Sequence, residues 1–307
     1  MEPRVTERLL AVTPPYRLDL TVAVLRRFST NVVDVTGADG TYRRAVAGFA
    51  SPALVAVRQA SATELTVRVD CAPGDEDRLF ALVPRMLGTN RTVATFDRGA
   101  ATIPWLRELA RRMRGVRPPR YATLWEACVN AIVFQQISLH AASAILRRVI
   151  LETGASLVWN DIPLYAFPTV AGLVDADDAR LRAAGLSASK VETLRRVGAA
   201  LADGTLDEVM LEERSSAEAS AILCRIKGIG PWTAAVILLR GLGRLDVFPE
   251  NDSGVARGFA SLAGDAIDVP DVMARLGRER GMLYYHLLLA RLEARGEIAT
   301  SGTRERL

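Results

Sequence analysis

The sequence predicts an α+β protein: a small antiparallel-sheet unit at the N-terminus, followed by an all-helical unit. Three observations carry that prediction. From about Tyr16 to Cys71 apolar and polar residues alternate with period two, the spacing of a half-buried strand. From Ala122 onward the apolar spacing is helical and no strand pattern returns. Between them "VRPPRY" (residues 116–121) interrupts both patterns and reads as a linker. At 307 residues the chain can bury two or three cores. The expected units are residues 1–117, mixed α/β with connecting helices, and residues 118–307.

Within the first unit, "RLDLTV", "NVVDVTG", "TYRRAVAG" after the turn "GADG", and "ELTVRVDC" read as strands, and "VAVLRRFS" as one helix crossing them. After "CAPGDEDRLF" the texture turns helical. "IPWLRELARRMRG" places Ile103, Leu106, Leu109 and Met113 on one stripe with arginines opposite. In the second unit, "TLWEACVNAIVFQQISLHAASAILRRVILETG" reads as two helices that part near Gln136–Ser138, with Ser138 capping the second. "TVAGLVDADDARLRAAGLSASKVETLRRVGAALADG" gives two more, capped at Ser187 or Ser189. "SSAEASAILCRIKGIGPWTAAVILLRGLG" gives a helix–turn–helix, and "VPDVMARLG" with "GMLYYHLLLARLEARG" the last pair.

Composition narrows the function classes. Half the residues are hydrophobic and 24% are charged, a globular balance, and no apolar run is long enough to cross a bilayer. The N-terminus lacks the basic-then-apolar profile of a signal peptide. Cys71, Cys128 and Cys224 are scattered, which points away from a disulfide framework or a zinc site and toward a reducing, cytoplasmic setting. Net charge is +4, and Lys190 and Lys227 are the only lysines. Any chemistry that needs an amine therefore has two candidates.

In "IKGIGPW", Gly228 and Gly230 bracket Ile229 and precede Pro231, a residue suited to the first turn of a helix. Backbone amides at such a turn form an anion site that the helix dipole reinforces. The plainer reading is a tight helix–helix connection.

The stretch "LCRIKGIGPWTAAVILLRGLGRLDVFPENDSGVAR" resembles the helix–hairpin–helix signature of the base-excision DNA glycosylase superfamily, and among its members the DNA-3-methyladenine glycosylase II family. "AIVFQQIS" resembles that family's glutamine-containing helix junction, and "GLSASKVETLRRVGAAL" its Gly-Leu-Ser…Lys helix. The resemblance covers roughly residues 118–291 and departs from the family at two points. Lys227 stands where proline is usual, and "RERGMLYYHLL" replaces the usual proline-tryptophan-arginine pattern.

The resemblance implies a monofunctional glycosylase that hydrolyses the N-glycosidic bond of alkylated bases in double-stranded DNA. Glycosylases for oxidised or deaminated bases, or a non-catalytic DNA-binding module, are the alternatives. It implies Asp252 as the catalytic carboxylate; a helix N-cap is the plainer use of that residue. Glu250 and Asp246 are nearby acidic competitors. Trp232, Tyr284 and Tyr285 are implied for the base pocket, with His286 beside them, although a core role fits each as well. Gln136 is implied as the wedge that fills the gap left by the extruded base, against a helix-capping amide. Gly228, Ile229 and Gly230 would bind a DNA phosphate, and Arg240 and Arg257 could add contacts. Backbone carbonyls of Cys224, Ile226 and Ile229 would hold a structural Na+ or K+. No other cofactor is expected. Bifunctional relatives keep a lysine where this chain has Trp232, so no lyase step is expected. The expected partner is DNA with a damaged base, not a membrane, with one copy acting as a monomer at the nucleoid.

Overall fold

The structure is a computed structural model that describes residues 4–49, 51–159, 162–263 and 267–299. The outer ends of both expected units, residues 1–3 and 300–307, lie outside the described residues. The N-terminal part runs β1 (Arg4–Ala11), α1 (Leu18–Arg26), β2 (Val35–Thr36), β3 (Tyr42–Val46), β4 (Ala53–Gln59) and β5 (Glu64–Cys71). It continues through α2 (Glu76–Leu87), α3 (Ala94–Ala101) and α4 (Pro104–Arg112). The strands form one antiparallel sheet in the order β1-β5-β4-β3-β2.

Three strand expectations need correction. "RLDLTV" is not a strand but the start of α1. That helix is buried on nearly all sides, from Leu18 and Leu20 to Leu25, so its helical period is masked. β1 was not foreseen because it is an edge strand exposed on both faces. β4 was missed for the opposite reason: residues 53–57 are all buried and do not alternate.

The second part contains α5 (Leu124–Val133), α6 (Leu139–Thr153), β6 (Ser156–Trp159), β7 (Ile162–Tyr165), α7 (Val170–Val174), α8 (Asp178–Ala183) and α9 (Ala188–Ala202). Then come α10 (Glu208–Glu212), α11 (Ser216–Cys224), α12 (Pro231–Gly241), α13 (Ser253–Ala263), α14 (Val269–Leu276) and α15 (Gly281–Ala294). The expectation of an all-helical unit is corrected by β6 and β7, which pair antiparallel. Four-residue strands are too short to leave a period-two signature. Ser138 and Ser187 cap α6 and α9 as expected. Among the described residues, no helix is long and apolar enough to cross a membrane.

"VRPPRY" is not an exposed linker but a buried strap. Arg117 donates to the Thr13 carbonyl (2.7 Å), and the Tyr121 N–H to that of Arg240 (2.8 Å). Three larger cores meet around it. One face of α1 (Leu18, Val22, Leu25) joins the sheet and α2. Its other face (Leu20, Ala23, Val24) joins α3, α4 and α13–α15. The third core packs α5, α9, α11 and α12. The end of α1 is thereby carried to the seam where the helical layers meet.

Candidate active site

The hairpin is built by local chemistry. A capping box starts α11, with Ser215 and Glu218 each bonding the other's backbone, and Pro231 opens α12. The two glycines differ. Gly228 has φ +104°, and a Cβ there would fall 2.1 Å from Thr193 Oγ1 on α9, so the packing itself demands glycine. Gly230 is in ordinary extended conformation, and a Cβ there would meet nothing within 4 Å. The open side of Gly230 faces the cleft described below. The Ile229 N–H turns inward to the Ile226 carbonyl (3.0 Å), and its side chain is buried. This corrects the expectation for Ile229: its amide is not free for a phosphate, which leaves those of residues 228 and 230.

The α5–α6 junction is stitched to this hairpin. Gln135 donates through Nε2 to the Gly228 carbonyl (2.9 Å) and to Thr233 Oγ1 (2.8 Å). Lys190 Nζ donates to the carbonyls of Val133 (2.8 Å) and Gln135 (3.0 Å), and burial lowers its pKa. Neither Gln135 nor Lys190 had been assigned a role from sequence, although both sit in the motifs noted above. Gln136, the next residue, has φ +57°, lies exposed at the cleft, and its amide has no hydrogen bond among the described residues. It is not the helix cap; Ser138 is.

Hairpin, junction, α13 and α15 enclose an open cleft of about 1040 Å³. That is ample room for a nucleoside. Asp252 lies in its wall, directly after Asn251 at φ +60°. Its Oδ1 accepts from the N–H groups of Gly254 (2.7 Å) and Val255 (3.0 Å), and its Oδ2 from Trp232 Nε1 (3.1 Å). Oδ1 thus caps the start of α13, while Oδ2 is held by the indole N–H. Glu250 and Asp246 are absent from the lining.

Trp232 and Tyr284 also line the cleft. Tyr285 does not. It is fully buried, and its hydroxyl donates to the Leu239 carbonyl (3.1 Å), so its placement in the base pocket is corrected. His286 is core as well: its ring lies 4.4 Å from that of Phe96, and Nδ1–H donates to the Met282 carbonyl (2.8 Å). Burial pulls its pKa down to about 4. Arg257 lines the cleft, whereas Arg240 is buried over the Tyr121 ring (4.5 Å) and is no phosphate ligand. Sequence reasoning missed Arg27 and Phe134 in the inner wall, Arg291 on α15 and Arg295 just after it.

Comparison with known proteins meets this geometry. Residues 129–278, which hold the junction, the hairpin and Asp252, match the family described as "HhH-GPD superfamily base excision DNA repair protein". The chain belongs to that superfamily. It is 30% identical to a DNA-3-methyladenine glycosylase of Bacillus subtilis over 155 residues, half of each protein. It is 33% identical to DNA-3-methyladenine glycosylase 2 of Escherichia coli, over 48% of this chain and 51% of that one. The chain thus spans about half the length of these curated relatives. The 3-methyladenine DNA-glycosylase structure from Archaeoglobus fulgidus superposes with a TM-score of 0.78 at 25% identity. That superposition covers 92% of this chain and 97% of the other, so the superfamily likeness extends through the sheet as well as the helices.

Proposed function

We propose that the protein is a monofunctional DNA glycosylase that removes alkylated bases from double-stranded DNA. One observation carries the reading: a carboxylate whose Oδ1 is fixed by two backbone amides while Oδ2 lies in a nucleoside-sized cleft, held by an indole N–H. An extruded nucleotide with its sugar against Asp252 would lose the base with the electron pair of the C1′–N bond. The ionised carboxylate stabilises the positive charge left on the sugar, and a preorganised charge in a water-poor site is the strongest means of doing so. Water then bonds to C1′ and passes one proton to Oδ2, from which it leaves to solvent. Bases reach such a site only by leaving the stack. Trp232 and Tyr284 supply aromatic faces for the base, and Gln136, with a free amide at the lip, suits the gap left in the duplex. The amides of Gly228 and Gly230 suit a phosphate at the hairpin.

The amine inventory supports hydrolysis without a lyase step. Trp232 stands where bifunctional relatives keep lysine, and Lys190 is committed to two carbonyls. A monovalent cation would be held by the hairpin carbonyls of Cys224, Ile226 and Ile229, of which Ile226 also accepts the Ile229 N–H. It would brace the phosphate site and take no part in bond cleavage. A single copy of the chain, acting as a monomer on duplex DNA, is sufficient.

The test is base release from duplexes carrying 3-methyladenine. Asp252→Asn keeps an Oδ1 that can cap α13 but removes the charge. Its release rate should fall roughly 1000-fold, with DNA binding and thermal midpoint preserved. Undiminished release by that variant would overturn the assignment. Strand breaks before alkali treatment would overturn the monofunctional reading.

A further inference from the structure

Gln136 stands at the cleft lip in a conformation that its own chemistry does not favour. Its φ of +57° is left-handed, a region that residues other than glycine enter rarely and at a cost, and its side chain is exposed. Strained residues of this kind persist where their surroundings over-determine them. The chain on both sides of Gln136 is held. Before it, Gln135 spends its Nε2 hydrogens on the hairpin, at the Gly228 carbonyl (2.9 Å) and Thr233 Oγ1 (2.8 Å). The carbonyl of Gln135 accepts from Lys190 Nζ (3.0 Å), which also holds the Val133 carbonyl (2.8 Å). After it, Ser138 Oγ accepts the Ala141 N–H (3.2 Å) and starts α6.

Lys190 lies in the first turn of α9, where the helix dipole disfavours a cation, and burial there lowers its pKa. Its ammonium is accounted for by what it reaches. At the end of α5, carbonyls left over by the helix need donors, and the dipole of that helix favours positive charge. Gln135 in turn grips the peptide of Gly228, in the turn that would bind a phosphate. Lysine, glutamine and hairpin thus form a strut that ends at Gln136. A DNA strand held at the amides of Gly228 and Gly230 would meet that side chain at a fixed distance.

We infer that Gln135 and Lys190 are positioning residues for the gap-filling side chain: they hold Gln136 preset, so that gripping a phosphate and entering the duplex are one rigid-body step. The inference rests on the glycosylase reading above and deepens it by naming what aims the wedge. A side chain held in its bound conformation before contact loses little further freedom on binding. DNA with a base already missing offers Gln136 its gap without the cost of extrusion. The preference for such DNA over intact duplex, rather than the overall grip, is what the two residues control.

Equilibrium affinities would be measured for two duplexes of one sequence, intact and carrying a tetrahydrofuran abasic-site analogue. Their ratio is read, because a uniform loss of phosphate grip cancels from it. Gln136→Ala should cut the preference for the abasic duplex about ten-fold, the worth of a lost hydrogen bond. Gln135→Leu and Lys190→Met should each cut it at least about five-fold, and Lys190→Arg, which keeps donors, should recover part. Combined with Gln136→Ala, neither should remove more than about a further two-fold, since no wedge is left to aim. Losses that multiply in the double variants would overturn the inference, as would full preference in either single variant or in Gln136→Ala. Should Lys190→Met fail to fold, Gln135→Leu, whose hydrogen bonds lie near the surface, carries the same cycle. Release of 3-methyladenine by the whole protein is scored alongside: its absence defeats the glycosylase reading, while the ratios alone decide the positioning.

Discussion

Arg44 and Arg27 are both buried in the N-terminal part of the chain, yet their surroundings are opposites. Arg44, on β3, donates to Asp34 Oδ1 (2.7 Å) and to Glu126 on α5, and Tyr42 adds its hydroxyl to the same Asp34 oxygen (2.8 Å). The guanidinium that ties sheet to helix thus has two carboxylates, and its own pKa rises well above the ordinary value despite burial. Arg27 has no carboxylate and borders a cleft. The same side chain is a rivet where carboxylates match its charge and a piece of cleft wall where none pairs with it.

The comparison breaks most visibly at the rivet. Arg44→Met leaves two carboxylates buried without their cation and should cost about 3–5 kcal/mol, read as a lower urea midpoint at unchanged slope. If the loss is no larger than for Arg27→Met, the contrast between matched and unmatched charge is wrong.

His286 sharpens it with a third way of housing a basic group, discharge. Its folded-state pKa of about 4 lies below the ordinary 6.5, so the unfolded chain binds the extra proton between those values. Stability from this group is complete above pH 6.5, falls as the pH drops toward 4, and is level below that. The loss amounts to about 3 kcal/mol. Denaturant titrations at pH 7 and pH 4 should show His286→Leu losing about that much less than the parent protein; an identical pH dependence would refute a neutral core histidine.

The glycines give the smallest and most local version. Gly228 faces the matched interior: alanine there meets Thr193 Oγ1 and a positive φ, and should cost about 2 kcal/mol. Gly230 faces the cleft: alanine there should change stability by less than about 0.5 kcal/mol while weakening DNA binding. Equal thermal shifts for both variants would erase the distinction.

The parts legible in the sequence are those set by spacing within one segment. The hairpin, Asp252 and the α5–α6 junction each depend on residues a few positions apart, so turn and cap chemistry exposes them. Tyr284 and Tyr285 illustrate where that stops. Adjacent residues on a helix point about 100° apart, and α15 is apolar on almost every side, so nothing local tells which tyrosine meets the cleft. Arg27 was illegible for a different reason. Phe134, Tyr284 and Asp252, which share the cleft wall with it, are more than a hundred residues away, and beside Arg26 it looks like half of a solvated pair. Similarly, α1 lost its helical period because two cores claim its opposite faces.

That sharing of α1, α3 and α4 with α13–α15 has a consequence for birth of the chain on the ribosome. The apolar stripe of Leu106, Leu109 and Met113 emerges well before α13–α15, which help to cover it. Until α15 has emerged, a nascent polypeptide must carry this sticky surface uncovered, and its demand for chaperone protection should be set by α15 rather than by the sheet that precedes it.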